Sequence, residues 1–151
     1  MTFVEQVAEL RAEGRVAEIN GLVPYADFLG VESYVEDGQI ITALRFHEEL
    51  IGNYTARIFH GGAVGALLEQ AAFVHLLDQG RQEKLPKVIN ISANYLRPVA
   101  PADVLASGVI VRQGARIANV RVRAWQKTWD DPVATADVHF LLSKRSEPAA
   151  P

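Results

Sequence analysis

The sequence predicts an α+β domain in which a mainly antiparallel sheet curves around one long buried helix. Three observations carry this expectation. Residues Ala63 to Leu77 form an apolar run that holds one acid, Glu69, and no lysine or arginine. Four strand-like segments follow it with no further helix between them, the arrangement of an α+β domain. Ahead of it, Asp37-Gly38 sits between two strand-like runs, a strong short-range hairpin signal.

In chain order, residues 2–13 place Phe3, Val4, Val7, Ala8 and Leu10 at helical spacing, with acids and Arg11 between, and predict a short amphipathic helix ending near Gly14. Val16 to Asn20 adds a turn before Gly21. Leu22 to Gly30, with Pro24, reads as an approach segment. Val31 to Glu36 and Gln39 to Phe46 form the hairpin. Residues 47–58 are mixed and polar, carry Gly52-Asn53, and read as a loop.

The central helix runs from Gly61 or Gly62 to Gln79 and stops at Gly80. Its apolar residues cover nearly every face, and a helix of that kind is normally buried. Burying a carboxylate there is costly unless it is paired, hydrogen-bonded or protonated, so Glu69 is a candidate for chemistry. After a charged linker, Arg81 to Lys87, Ile89, Ile91, Ala93 and Tyr95 alternate with Asn90, Ser92 and Asn94 as a half-buried strand. Pro98 and Pro101 bracket a turn. Val104 to Arg112 is the next strand, and Gly114 the next turn. Val120, Val122 and Ala124 then oppose Arg121, Arg123 and Trp125. Asp130-Asp131-Pro132 turns the chain into Val133 to Leu142. The expected division is an N-terminal helical extension over 1–21, one domain over 22–143 and a disordered tail over 144–151.

The 151 residues suit one domain with a substantial core. The net charge of −3 offers no basic footprint for nucleic acid. Without cysteine there is no disulfide, thiolate catalysis or zinc–thiolate site. Four scattered histidines lack metal-ligand spacing, so no metal is expected. The start, with Glu5 where an export signal would carry positive charge, shows no such signal. The apolar run falls short of the roughly 20 residues of a membrane span. A cytoplasmic protein without membrane contact is therefore expected.

His60-Gly61-Gly62 opening the helix, an acid eight residues after Gly61, and the block Asn94-Tyr95-Leu96-Arg97-Pro98 together resemble the hotdog-fold acyl-CoA thioesterases of the phenylacetate-degradation and 4-hydroxybenzoyl-CoA types. The resemblance covers residues 22–143 and implies a curved sheet wrapped around the helix. Many members carry Asp at the helix acid, and Glu69 resembles the branch that uses Glu. The polar residue preceding the His-Gly-Gly motif would be Asn53 or Tyr54. A hydroxyl one turn past the acid, found in some Glu-type members, is replaced by Phe73.

Thioester hydrolysis needs a group that attacks or activates water and a donor for the developing oxyanion. Glu69 is the candidate for the first role, as general base or nucleophile, and the Gly61 backbone N–H at a helix start for the second. Both residues also have plain structural readings, a paired core acid and a helix-start glycine. His60 is either a ligand contact or a loop-fixing histidine, and Asn53 either holds the substrate carbonyl or forms a turn. Gly62, Phe73 and Tyr95 are candidate substrate contacts, with Val74 as a further pocket residue. Arg97, Arg112 and Arg116 are candidates for coenzyme A phosphates, against a reading as solvated surface charge. Eight helical residues separate Gly61 from Glu69 by roughly 12 Å, more than a glutamate side chain spans. Acting on one thioester, the two must come from different helices, which predicts an obligate homodimer with shared sites, open to a tetramer as a dimer of dimers. No cofactor is expected beyond coenzyme A as part of the substrate. The competing reading is a non-catalytic acyl-CoA or fatty-acid binding module; a hotdog hydratase is a third.

Overall fold

The computed structural model describes residues 1–82 and 84–142, so the expected tail over 144–151 lies outside the described residues. A helix α1, Phe3–Ala12, is closed at its start by a capping box in which Thr2 and Glu5 satisfy each other's backbone N–H groups. A 3₁₀ segment follows over Val16–Leu22. The approach segment of the sequence reading is instead helical over Pro24–Leu29 (α2). Pro24 is its first residue, where the missing N–H costs nothing, and Gly30 ends it in a left-handed conformation.

Strands β1 (Val31–Glu36) and β2 (Gln39–Leu44) form the expected hairpin, with Asp37 and Gly38 both at positive φ. The stretch read as a loop holds a 3₁₀ turn, Glu48–Leu50, and a small ladder between β3 (Ile51–Asn53) and β4 (Ile58–Phe59). Helix α3 spans Gly61–Gln79 with Gly80 as its cap. Strands β5 (Lys87–Tyr95), β6 (Val104–Gln113), β7 (Ile117–Trp125) and β8 (Pro132–Leu141) complete an antiparallel sheet ordered β1-β2-β6-β7-β8-β5. A sheet of this order around one long helix is the hotdog arrangement.

Leu67, Leu68, Ala72 and Leu76 of α3 pack on Ala106, Val120, Val122, Ala136, Val138 and Phe140 of the sheet. A second cluster joins Val7, Val16 and Ile19 to Ile40, Val74 and Leu77, so the N-terminal segment covers the far half of α3. The strand alternation is broken once near the start of β5. A bulge leaves Ile89 unpaired between Val88 and Asn90, and Ile89 is exposed. No helix among the described residues is long and apolar enough to cross a membrane.

Candidate active site

The start of α3 is fixed from two directions. His60 caps the helix: its backbone is extended and its Nδ1 accepts the Gly62 N–H at 2.9 Å. Its own N–H donates to the Leu50 carbonyl at 2.8 Å, tying the cap to the β3–β4 ladder. A Cβ at Gly52 would stand 2.6 Å from the His60 Cα, so this strand position admits only glycine. From the other side, the Tyr95 hydroxyl donates to the Gly61 carbonyl at 3.1 Å. Its oxygen lies 3.0 Å from where a Gly65 Cβ would be. Among the described residues no protein acceptor takes the Gly61 N–H. That donor sits at the positive end of the helix dipole.

Glu69 is exposed, which corrects the expectation of a carboxylate buried within its own chain. Gly61, Gly62, Gly65, Ala66, Glu69 and Phe73 form one stripe of α3 that is exposed or half-buried. The sheet buries the opposite face, and among the described residues no cation or donor meets Glu69. The physical reason is that one sheet covers one side of a helix, while the remaining apolar stripe needs something else to cover it. Beside Glu69, the Gln70 amide donates to Asn20 Oδ1 at 2.7 Å, and Asn20 donates in turn to Ser33 Oγ. Ser33 Oγ lies 2.8 Å from Thr42 Oγ1. This partly buried chain of hydrogen bonds ties the helix to the N-terminal segment and to the hairpin.

The remaining candidates divide. Asn53 Oδ1 accepts the Ala56 N–H at 3.0 Å and so closes the turn after β3. Phe73 is half-buried and packs against both apolar clusters. Tyr95, a suggested pocket wall, lies along the first turn of α3. Arg97 is held by Asp131, with the two guanidinium nitrogens at 2.8 Å and 2.5 Å from its carboxylate oxygens. Arg112 and Arg116 lie at the β6–β7 turn, beyond the far end of α3. The sequence reading missed Gly52 and Gly65. A glycine inside a helix costs about 1 kcal/mol against alanine, and that cost was the available signal for Gly65.

Residues 51–141 match the acyl-CoA thioesterase N-terminal domain family. No curated protein matches the chain. Among solved structures, a protein from Chromobacterium violaceum is 34% identical over 92% of this chain and 97% of its own, with a TM-score of 0.73. A protein from Shewanella oneidensis related to the thioesterase superfamily is 26% identical over 91% of this chain and 97% of its own, also at 0.73. A thioesterase from Haemophilus influenzae, 19% identical over 87% of this chain and 92% of its own, shares the fold at 0.72.

Proposed function

The chain belongs to the acyl-CoA thioesterase family and is a thioester hydrolase, and we propose that it cleaves medium-chain or aromatic acyl-CoA at sites shared between two copies of itself. In this reading the thioester carbonyl oxygen of the substrate lies on the Gly61 N–H of one protomer, with Glu69 of the other beside the carbonyl carbon. As general base, Glu69 takes a proton from a water while the water oxygen bonds to the carbonyl carbon. Negative charge moves onto the carbonyl oxygen, where the helix-start N–H receives it. Collapse expels the coenzyme A sulfur, which is protonated as the carboxylic acid leaves. As nucleophile, Glu69 would bond to the same carbon and expel the coenzyme A thiolate, which takes up a proton, leaving a mixed anhydride that water opens to the carboxylic acid and free Glu69. Both routes need the same two groups at one carbon.

The observation that carries the proposal is the open stripe of α3. The Gly61 N–H and the Glu69 carboxylate both lie on it, both lack protein partners among the described residues, and helix geometry holds them roughly 12 Å apart. Gly62, Gly65 and Ala66 would let a second helix approach closely, and a two-fold pairing would cover the stripe and bring Glu69 to its partner's helix start. Strand β5 has a second edge free for pairing in the single chain, which supports the same assembly.

The test is a panel of acyl-CoAs with a thiol reagent, for the natural protein and Glu69→Gln. Loss of about a hundredfold or more in kcat is expected, the scale of a positioned acid–base group. Equal rates in the two proteins would remove Glu69 from the mechanism.

A further inference from the structure

One histidine outside the open stripe ties α2 to the helix start that carries the Gly61 N–H. His47 lies in the connection between β2 and the Glu48–Leu50 turn. Its ring packs on Gly30, the left-handed residue that ends α2, with Cδ2 3.8 Å from where a Gly30 Cβ would be. Its Nε2 is 3.0 Å from the Leu29 carbonyl oxygen, and its Nδ1 is 3.0 Å from Glu49 Oε2. Leu29 is the last residue of α2, so its carbonyl has no partner within the helix. A carbonyl and a carboxylate can only accept. An imidazole with an acceptor at each nitrogen satisfies both only when it carries two protons.

The backbone of the same residue begins a relay toward the site. The His47 carbonyl accepts the Leu50 N–H at 3.0 Å and so closes the 3₁₀ turn. The Leu50 carbonyl accepts the His60 N–H at 2.8 Å, and His60 Nδ1 accepts the Gly62 N–H at 2.9 Å. Gly61 sits between the two residues of that last bond. The links from His47 to His60 run backbone to backbone, so a displacement of residue 47 is carried to the cap of α3. The close approach of Gly52 to the His60 backbone leaves little room to absorb it.

We infer that His47 is a positioning residue for the hydrolysis, a role that rests on the thioesterase reading above: its imidazolium clamps the end of α2 to the Glu48–Leu50 turn and thereby aims the Gly61 N–H. The hydrogen bond from Glu49 raises the imidazole pKa above its ordinary value, helped by the Leu29 carbonyl and opposed by burial. His47 in turn lowers the pKa of the Glu49 carboxyl. The other charges on the packed elements are Asp27 of α2, Glu32 of β1, Arg45 after β2 and Glu48 of the turn. Of these, Arg45 is held by Glu32 and Asp103, and Glu48 by Arg57. The clamp is therefore complete below the raised pKa and is lost as pH rises through it.

The experiment follows two readouts from about pH 5 to about pH 9 in the natural protein, His47→Ala, His47→Gln and Glu49→Gln. In the natural protein, kcat on an acyl-CoA should fall about threefold or more on the alkaline side, with KM nearly unchanged. Glu49→Gln should move that fall to lower pH, which marks it as the titration of His47. His47→Ala should show the lowered kcat on both sides of the midpoint. His47→Gln, whose amide can still donate to the Leu29 carbonyl, should lie between the two and not titrate. The second readout is NMR: the backbone amide shifts of Leu50, His60 and Gly61 should follow the same midpoint and lose that phase in His47→Ala, whatever phase His60 itself adds. An alkaline fall that is absent from the natural protein, or that survives in His47→Ala and His47→Gln, would overturn the inference. Amide shifts at the helix start that do not follow His47 would do the same. If His47→Ala does not fold, His47→Gln and Glu49→Gln still decide it. A natural protein that cleaves no thioester would defeat the thioesterase reading alone, and the amide titration would still test the clamp.

Discussion

Tyr95 and Gly61, 34 residues apart, are joined by a hydrogen bond in which the tyrosine hydroxyl donates to the glycine carbonyl at 3.1 Å. The bond sets the plane of the first peptide of α3, next to the N–H proposed to receive the oxyanion. Tyr95→Phe keeps the ring and removes the bond. It should lower kcat roughly three- to tenfold, the worth of one hydrogen bond expressed in the transition state, with a smaller change in KM. Gly65→Ala should act in the same direction, because its methyl group would meet the hydroxyl at 3.0 Å. Steady-state kinetics of both variants check this, and an unchanged kcat in Tyr95→Phe would remove the positioning role.

Gly52→Ala should destabilise the protein by about 1–3 kcal/mol, the cost of forcing an extra methyl into a filled site. The clash is with the His60 backbone, which cannot swing away as a flexible side chain would. Because His60 also caps α3, activity should fall along with stability. Denaturant unfolding and a rate assay measure the two effects; a fully stable Gly52→Ala protein would contradict this account of the β3–β4 ladder.

The elements legible in the sequence were those with a local cause. Asp37-Gly38 dictates the hairpin because its two residues must take positive φ. The bounds of α3 follow from Gly61 and Gly80 enclosing an apolar run. What escaped was decided by distant partners. Pro24 reads as a break until it becomes the first residue of α2. The β3–β4 ladder is too short to show a pattern and depends on Gly52 lying against His60. The alternation in β5 suggested that Tyr95 continues the inward side of Ile91 and Ala93, yet at the strand end its hydroxyl reaches Gly61. The exposure of Glu69 was hidden for a different reason: an all-apolar helix shows that every face needs covering, but not which chain covers it.

His75 should make stability depend on pH on the acidic side of neutrality. Burial pushes its imidazole pKa below the ordinary value, against a smaller opposing pull from Asp78. The unfolded chain, titrating near about 6.5, therefore binds the proton before the folded protein does. Stability is full above that value and falls as pH drops from it toward the lower folded-state pKa. His75→Gln should flatten this slope in a series of thermal midpoints from pH 8 to pH 5 on the order of half-unit steps. An identical slope in both proteins would assign the pH dependence to other groups.

The most direct test of the shared site mixes two inactive variants. Glu69→Gln lacks the carboxylate. Gly61→Pro lacks the N–H at a first-turn position that accepts proline, behind a residue whose extended backbone suits one. In a mixed dimer one site would hold an intact Glu69 from one protomer and an intact Gly61 from the other. Equal mixing after subunit exchange should restore roughly a quarter of the natural rate, since half the dimers are mixed and each has one working site of two. Mixed dimers that are isolated by differential tags and remain as inactive as their parents would contradict the account.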